Sequence, residues 1–448
     1  MTQHSPPPTL PGLTPHCGNP IIPGYYAVPS LVQYGGKFFL FATLDPWGGD
    51  TLGCWESDDF KNWTYRVLNW PTVEQCTSPS GQTAKVWAPS VVQGRDGRFY
   101  LYVSVRNEVW VGVAEHPLGP WRNLLHDGPL IAGDYRPGFH MIDAEAFIDE
   151  DGSAWLYWGS GWNWENGRCW AAKLAPDMAS FEGEVQDVSP DNYFEAPFMF
   201  KRSGRYYLMY SNGRTDLDTY QVHYAVGEHP LGPFTEAPNS PILVTDKAAN
   251  IHSPGHHAVF SFEGRDYILY HRHSIPFDPD FIGRQLCVDE LHFTADGWME
   301  NVRPTHEGPA LVRHRGAGRT NLAAPASATA SSQAGPLFGA ARVLDGNYAS
   351  RWAAAPDAAG AWLQLDLGAR REFAMQELRF EYAWKPYRFT FEISQDGENW
   401  QPVADYTEKP ALGSPILISA PGAARYLRLV FPADVSGQAI SLFEWAVY

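Results

Sequence analysis

Three observations predict an all-β chain, a five-bladed β-propeller followed by a jelly-roll β-sandwich. An aromatic strand recurs five times, a tight-turn signal precedes each copy, and the composition shifts after about residue 311. The copies are KFFLFATL (37–44), GRFYLYVSV (97–105), SAWLYWGSG (153–161), RYYLMYSNG (205–213) and RDYILYHRHS (265–274). Phe39, Tyr100, Trp155, Tyr207 and Tyr267 align at steps of 61, 55, 52 and 60 residues. The turns QYGGK, GRDGR, DEDGS, KRSGR and FEGRD supply the Gly and Asp that hairpins require. A second repeat, AEHPLGPW (114–121) and GEHPLGPF (227–234), lies 113 residues apart, about two of those steps. ESDDFKNWT (56–64) takes the same place in the first unit. Units of this length, each of several short strands, suit propeller blades around a central channel. A single sandwich of similar size would leave the period unexplained.

The expected organisation is an N-terminal extension (1–16), a propeller catalytic domain (17–312), a polar linker (313–320) and a β-sandwich (321–448). Past the linker, NLAAPASATASSQAG is rich in Ala and Ser. WLQLDLG (362–368), FTFEISQDGENW (389–400) and ARYLRLVF (424–431) then alternate apolar and polar residues, as sandwich strands do.

The bulk numbers exclude several partners. A net charge of −17 on 448 residues repels phosphate backbones, so no nucleic-acid partner is expected. No apolar run is long enough to span a bilayer, so none is expected with a membrane. The N-terminus has neither a basic region nor an apolar core, so a cytoplasmic location is expected, or a periplasmic or secreted one if a leader has been removed. The five cysteines are an odd number without CxxC spacing, which suits free thiols. Aromatic residues make up 14% of the chain. Pleated sheets account for most of them, and rings that face sugars for part.

Candidate chemistry collects just ahead of each aromatic strand, where the inner strand of a blade meets the channel. Asp143 lies in HMIDAEAFIDEDG, Glu195 in NYFEAPFMFKRSG, and His256 and His257 in SPGHHAVFSFEG. The first two blades offer YYAVPSLVQYGG (25–36) and VWAPSVVQGRDG (86–97). Inverting glycoside hydrolysis needs a protonated acid and a carboxylate base separated by roughly 6.5–9.5 Å. Glu195, flanked by Phe194, Ala196, Pro197 and Phe198, has the apolar setting that suits the acid. Asp143 would raise the acid's pKa and orient it. A lone acid before a strand is ordinarily a solvated turn residue. Equivalent placement in two adjacent blades argues against that here.

These segments resemble glycoside hydrolase family 43. Asn19-Pro20, Pro23-Gly24-Tyr25-Tyr26-Ala27 and Pro29-Ser30 match its opening motif N-P-x-x-P-G-Y-Y-A-D-P-S. Trp87-Ala88-Pro89, Ile142-Asp143 with Phe147, Glu195-Ala196-Pro197, Gly255-His256-His257 and Gly283-Arg284 match five more, in order. The resemblance implies an inverting, exo-acting glycosidase of the β-xylosidase or α-L-arabinofuranosidase type, with carbohydrate side chains as substrate. It makes Glu195 the general acid, Asp143 the pKa modulator and Arg284 a sugar contact. It also implies that His257 faces a channel-centre ion, expected to be structural calcium held mostly by water and not needed for the chemistry. A buried, hydrogen-bonded histidine is the ordinary alternative. His256, Trp87, Trp47, Phe198 and Trp162 complete the expected substrate-binding set. WGSGWNWENG (158–167), with three tryptophans in a Gly/Asn-rich loop, is expected to form an exposed rim that closes a pocket.

Val28 is the departure. The family places its general base there, and valine neither accepts a proton nor orients water. Three readings stand: a substituted residue in an otherwise working site; a base-deficient, galactosidase-like branch in which another group such as Asp45 or Glu145 activates water; or a propeller that binds carbohydrate without cleaving it. The C-terminal domain resembles the discoidin, or factor 5/8 type C, family, through NLAAPASATASS, LDGNYASRW (344–352), WLQLDLG and FEISQDGENW. It is a candidate carbohydrate-binding module. Trp352 and Trp362 are expected in its core, with Tyr382, Trp384 and Tyr387 exposed.

Overall fold

The computed structural model describes residues 10–76, 85–126, 128–313, 319–356, 360–433 and 440–448. Most of the expected linker (314–318) and part of the N-terminal extension lie outside them. The chain forms two compact units, one of residues 25–59 and 66–305, the other of residues up to 24, 60–65 and 306–448.

The larger unit is the five-bladed propeller. Its sheets are antiparallel, and in each the strands follow one another in chain order. Blade 1 is built on Tyr26–Tyr34, Lys37–Leu44 and Gly53–Ser57, blade 2 on Val86–Gln93, Phe99–Val105 and Glu108–Ala114. Blade 3 uses Glu145–Ile148, Ala154–Trp158, Trp170–Leu174 and Phe181–Asp187, and blade 4 Glu195–Arg202, Arg205–Asn212 and Gln221–Gly227. Blade 5 has three strands, Gly255–Phe262, Arg265–His273 and Arg284–Leu291.

The repeated aromatics occupy the second strand of every blade, and all five are buried. A second strand is covered on both faces by neighbouring blades, which is why these strands read as near-continuous apolar runs. The core lies between blades. Phe39 and Phe41 of blade 1 pack with Phe99, Leu101 and Val103 of blade 2. Tyr207 and Met209 of blade 4 pack with Ile268 and Tyr270 of blade 5. The two HPLGP copies build the same turn: the Gly119 N–H donates to the His116 carbonyl and the Gly232 N–H to that of His229, each at 2.8 Å. Both glycines have positive φ, +87° and +76°, which only glycine adopts without cost.

The smaller unit holds the β-sandwich. Two long strands, Trp362–Phe380 and Ile416–Val430, pair along most of their length, with register shifts between Asp366 and Arg371 and between Phe373 and Met375. Such bulges let one strand bend and serve both layers. Trp352, Phe380, Phe389, Phe391, Leu427 and Trp445 centre the core. Trp352 is fully buried, whereas Trp362 is only half-buried. Tyr387 corrects an expectation. It is 2% exposed and stacks on Phe380 with ring centroids 4.1 Å apart, because alternation turns it inward between exposed Pro386 and Arg388. Tyr382 and Trp384 are half-buried and meet edge to face at 5.2 Å.

Candidate active site

At the start of every inner strand one residue adopts a left-handed backbone: Val28 (φ +56°), Ala88 (+46°), Asp143 (+60°), Ala196 (+59°) and His256 (+39°). Register breaks follow in four blades, between Ala27 and Ser30, Trp87 and Ser90, Glu195 and Phe198, and Gly255 and Ala258. Bulges of this kind re-aim side chains beside active sites. Val28, Trp87, Ala88, Asp143, Glu195 and His256, at or beside these bends, face the channel mouth.

The bulge amides are tied around the ring. Ala88 N–H donates to Thr43 Oγ1 (2.8 Å), Asp143 N–H to Ser104 Oγ (3.0 Å) and His256 N–H to Ser211 Oγ (3.0 Å). Ala196 N–H donates to the Asp143 carboxyl. Val28 N–H reaches His271 Nδ1 at 3.5 Å, the longest of these contacts that carries a distance. Each acceptor comes from the preceding blade, so one pattern fixes all five positions.

The mouth opens into a cavity of about 600 Å³, within the range of small-molecule sites. Val28, Trp47, Trp87, Asp143, Trp162, Glu195, His256 and Arg284, all expected at the site, line it. Phe198 and His257 are not among the lining residues. Phe198 lies past the register break that follows Glu195, farther along the blade 4 strand from the mouth, and it packs with the blade 4–blade 5 core, its ring 5.9 Å from that of His257.

Glu195 is held by two hydroxyls: Tyr220 Oη donates to Oε1 (2.6 Å) and Ser160 Oγ to Oε2 (2.9 Å). Burial pushes its carboxyl above the ordinary range, against the pull of those hydroxyls and of Arg284. Asp143 is pushed up further, by burial first and then by the charge of Glu195, while the Ala196 N–H and Arg284 act the other way. Two carboxyls raised together retain a proton at pH values where isolated ones would be ionised. His256 Nδ1 lies 3.8 Å from Asp143 Oδ2. Burial holds that imidazole neutral, well below its usual pKa.

Arg284 is buried and chelated by Asp45, Nε to Oδ2 at 2.9 Å and Nη2 to Oδ1 at 2.7 Å. Its guanidinium also lies 5.1 Å over the Trp47 ring. Asp45, read as a candidate replacement base, is therefore committed to Arg284. Glu145, the other candidate, is half-buried, pushed up to about 8 by burial, and absent from the cavity lining.

The WGSGWNWENG loop divides its tryptophans. Trp158 is fully buried, Trp162 is 44% exposed, and Trp164 is half-buried. His140 stacks on Trp162 (4.0 Å, 18°) and lies 5.8 Å from Trp87. Burial lowers its pKa to about 4, so a neutral, flat wall results. His140, Lys85, Arg106, Asn107, Ser160 and Thr215 also line the cavity, and Tyr220 supports it from behind Glu195. The sequence reading missed them. Apart from Ser160, at the end of the third repeated segment, they lie on strand ends and loops outside the five copies, where no periodicity marks them.

His257 is buried, and neither ring nitrogen has a hydrogen-bond partner. Burial lowers its pKa to about 3. Among the described residues no group of three or more His, Cys, Asp or Glu is arranged to hold a metal ion.

The family model for glycosyl hydrolases family 43 matches residues 17–299, and that for the F5/8 type C domain residues 327–444. The β-D-galactofuranosidase xynD of Aspergillus niger is 33% identical over 309 residues, 65% of this chain and 86% of that protein. A β-xylosidase of Xylanibacter ruminicola is 25% identical, over 62% of this chain and 97% of that one. A solved structure described as a glycoside hydrolase superposes over 98% of this chain and 100% of its own at a TM-score of 0.80 and 27% identity. An α-L-arabinofuranosidase of Clostridium thermocellum covers 63% of this chain and 95% of its own at a TM-score of 0.52 and 28% identity. With the family's motifs converging on one cavity and its model spanning the propeller, the chain belongs to glycosyl hydrolases family 43, a family of glycosidases, and carries an F5/8 type C domain behind it.

Proposed function

We propose that this glycosidase acts from the chain end on furanoside or xyloside side chains, with inversion, and that it lacks its own general base. The observation that carries this reading is the composition of the cavity. The coupled pair Asp143 and Glu195 are its lining carboxylates among the described residues, and Val28 stands at the third catalytic position. Glu195 protonates the leaving oxygen. Asp143 holds the proton available to it. Trp47, Trp87 and Trp162 offer flat apolar faces to a sugar ring, and Arg284, immobilised by Asp45, offers a fixed fork of donors. The Aspergillus relative favours galactofuranosides among the candidates, with α-L-arabinofuranosides and β-D-xylosides as the other members of the panel.

The test is hydrolysis of 4-nitrophenyl β-D-galactofuranoside, α-L-arabinofuranoside and β-D-xyloside by the chain and by Val28→Asp. The expected result is slow or no hydrolysis by the former and a large gain in the latter. Equal inertness of both on all three would overturn the assignment. A carbohydrate-binding role without cleavage is the second reading, favoured by Val28 alone. Retention of both Asp143 and Glu195 with their supporting hydroxyls weighs against it.

For the channel we propose one cation, calcium, with His257 giving a single neutral nitrogen and water the rest. The two unpartnered nitrogens support a ligand there, in a structural role, since the proton chemistry is assigned to Glu195 and Asp143. A chelator-induced drop in melting temperature that calcium restores would test it. The buried free thiols support a reducing compartment, and carbohydrate is the proposed partner, without nucleic acid or membrane.

A further inference from the structure

We propose that inorganic phosphate, not water, is the nucleophile this cavity accepts, so that the chain carries out inverting phosphorolysis. The inference rests on the reading above that position 28 supplies no base. Water is a poor nucleophile until something takes its proton. Among the described residues lining the cavity the carboxylates are Asp143 and Glu195, both engaged on the leaving-group side, and Asp45 is chelated by Arg284. Phosphate needs no such help, since a phosphate group carries about −1.5 to −2 charges near neutral pH. A carboxylate at position 28 would repel it. Val28, packed with Ala27 and Ala88, does not.

The same wall carries cations. Lys85 and Arg106 line the cavity along with Arg284, in a chain whose net charge is −17. Lys85 and Arg106 belong to the blade that sets Ala88 against Val28. The Arg106 N–H donates to the Lys85 carbonyl (3.1 Å), and Trp87 Nε1 donates to the Arg106 carbonyl (3.0 Å). Of the three donors of the Lys85 ammonium, the Pro46 carbonyl takes one at 3.0 Å. Asn107 and Thr215 add neutral hydrogen-bonding groups to the lining.

The step balances. A phosphate oxygen forms the new bond to the anomeric carbon on the face toward Val28. The bond from that carbon to the aglycone oxygen breaks with its electron pair, and that oxygen takes the proton of Glu195. The products are the alcohol and a glycosyl 1-phosphate of inverted configuration. The proton carried in by hydrogenphosphate leaves the product and restores the acid. The intact acid half of the site, useless to a water-dependent enzyme without a base, is what this reaction requires.

The experiment follows release from the three 4-nitrophenyl glycosides in phosphate-free buffer and across a phosphate titration, with the sugar product identified by phosphorus NMR. The expected result is a rate that rises at least an order of magnitude and saturates with phosphate, with an inverted glycosyl 1-phosphate as product. Lys85→Met should raise the KM for phosphate by a larger factor than the KM for the glycoside. A rate indifferent to phosphate, or free sugar as the product at saturating phosphate, would overturn the proposal. Val28→Asp separates the two readings. If it hydrolyses glycosides while the unsubstituted chain ignores phosphate, the missing base stands and phosphorolysis falls. If it gains nothing while the chain is phosphate-independent, both fall.

Discussion

Asp45 grips Arg284 at three points: its carboxylate accepts the Arg284 backbone N–H (2.8 Å), Nε (2.9 Å) and Nη2 (2.7 Å). The two residues are 239 positions apart, and the contact joins the end of blade 1's second strand to the start of blade 5's third. It holds a buried guanidinium at the cavity wall without a free carboxylate beside the sugar.

Asp45→Asn should leave that guanidinium buried with no counter-charge. Breaking a buried pair from one side costs about 3–5 kcal/mol. A lower urea midpoint, together with a raised KM for the glycoside, is expected. An unchanged midpoint would show that the pair does not brace the closure of the ring.

Val28→Asp should change activity and backbone energy in the same direction. A β-branched residue at φ +56° is an outlier, whereas Asp tolerates the left-handed region. A positioned base contributes roughly 10²–10⁴-fold. Hydrolysis of aryl glycosides should rise on that scale, and the melting temperature should not fall. A marked fall would mean that the apolar contact with Ala27 and Ala88 outweighs the relief of strain.

Glu195→Gln, made in the Val28→Asp background, should separate substrates by their leaving groups. Alkyl glycosides need the proton and should lose roughly 10²–10⁴-fold. A 2,4-dinitrophenyl glycoside does not need it and should lose far less. Because burial raises both carboxyls of the pair, the acid stays protonated above the usual carboxylate range. The alkaline limb of the pH–rate profile should sit correspondingly high, and it should vanish in the Gln variant.

Glu145 should make the fold sensitive to pH. Its carboxyl ionises at about 8 when folded, against 4.5 as the ordinary value. The raised value means that stability is fully present below pH 4.5 and is lost as pH climbs toward 8, since the unfolded chain ionises first. Glu145→Gln should match the parent near pH 4 and exceed it increasingly up to pH 8 in urea denaturation. Parallel curves would exclude the buried carboxyl as the cause.

How much of this was legible in the sequence depended on repetition. Phe39, Tyr100, Trp155, Tyr207 and Tyr267 recur because each blade needs the same two-sided filler, so period and blade count could be read. Val28, Asp143, Glu195 and His256 were found by their common place ahead of those strands. Arg284 was read as a sugar contact, but its chelation by Asp45 was invisible, because no local pattern links residues 239 positions apart. Phe198 was expected at the sugar and Tyr387 at the surface. Both expectations followed the neighbours of a residue in the chain; the depth of Phe198 beyond the register break and the alternation around Tyr387 decided otherwise. His140 and Tyr220 carried no motif, and only the closing of the ring gives them a role.

The amides at Val28, Ala88, Asp143, Ala196 and His256 amount to five rotationally equivalent sockets in one rigid hoop. Each is latched by the blade before it, four of them by Thr43, Ser104, Ser211 or His271 and Ala196 by the Asp143 carboxyl. Such a hoop uncouples the architecture from its reactivity. Position 28, whose side chain latches no other socket, is where an exchanged occupant changes the chemistry of the mouth while the scaffold that aims the other four stays as it was.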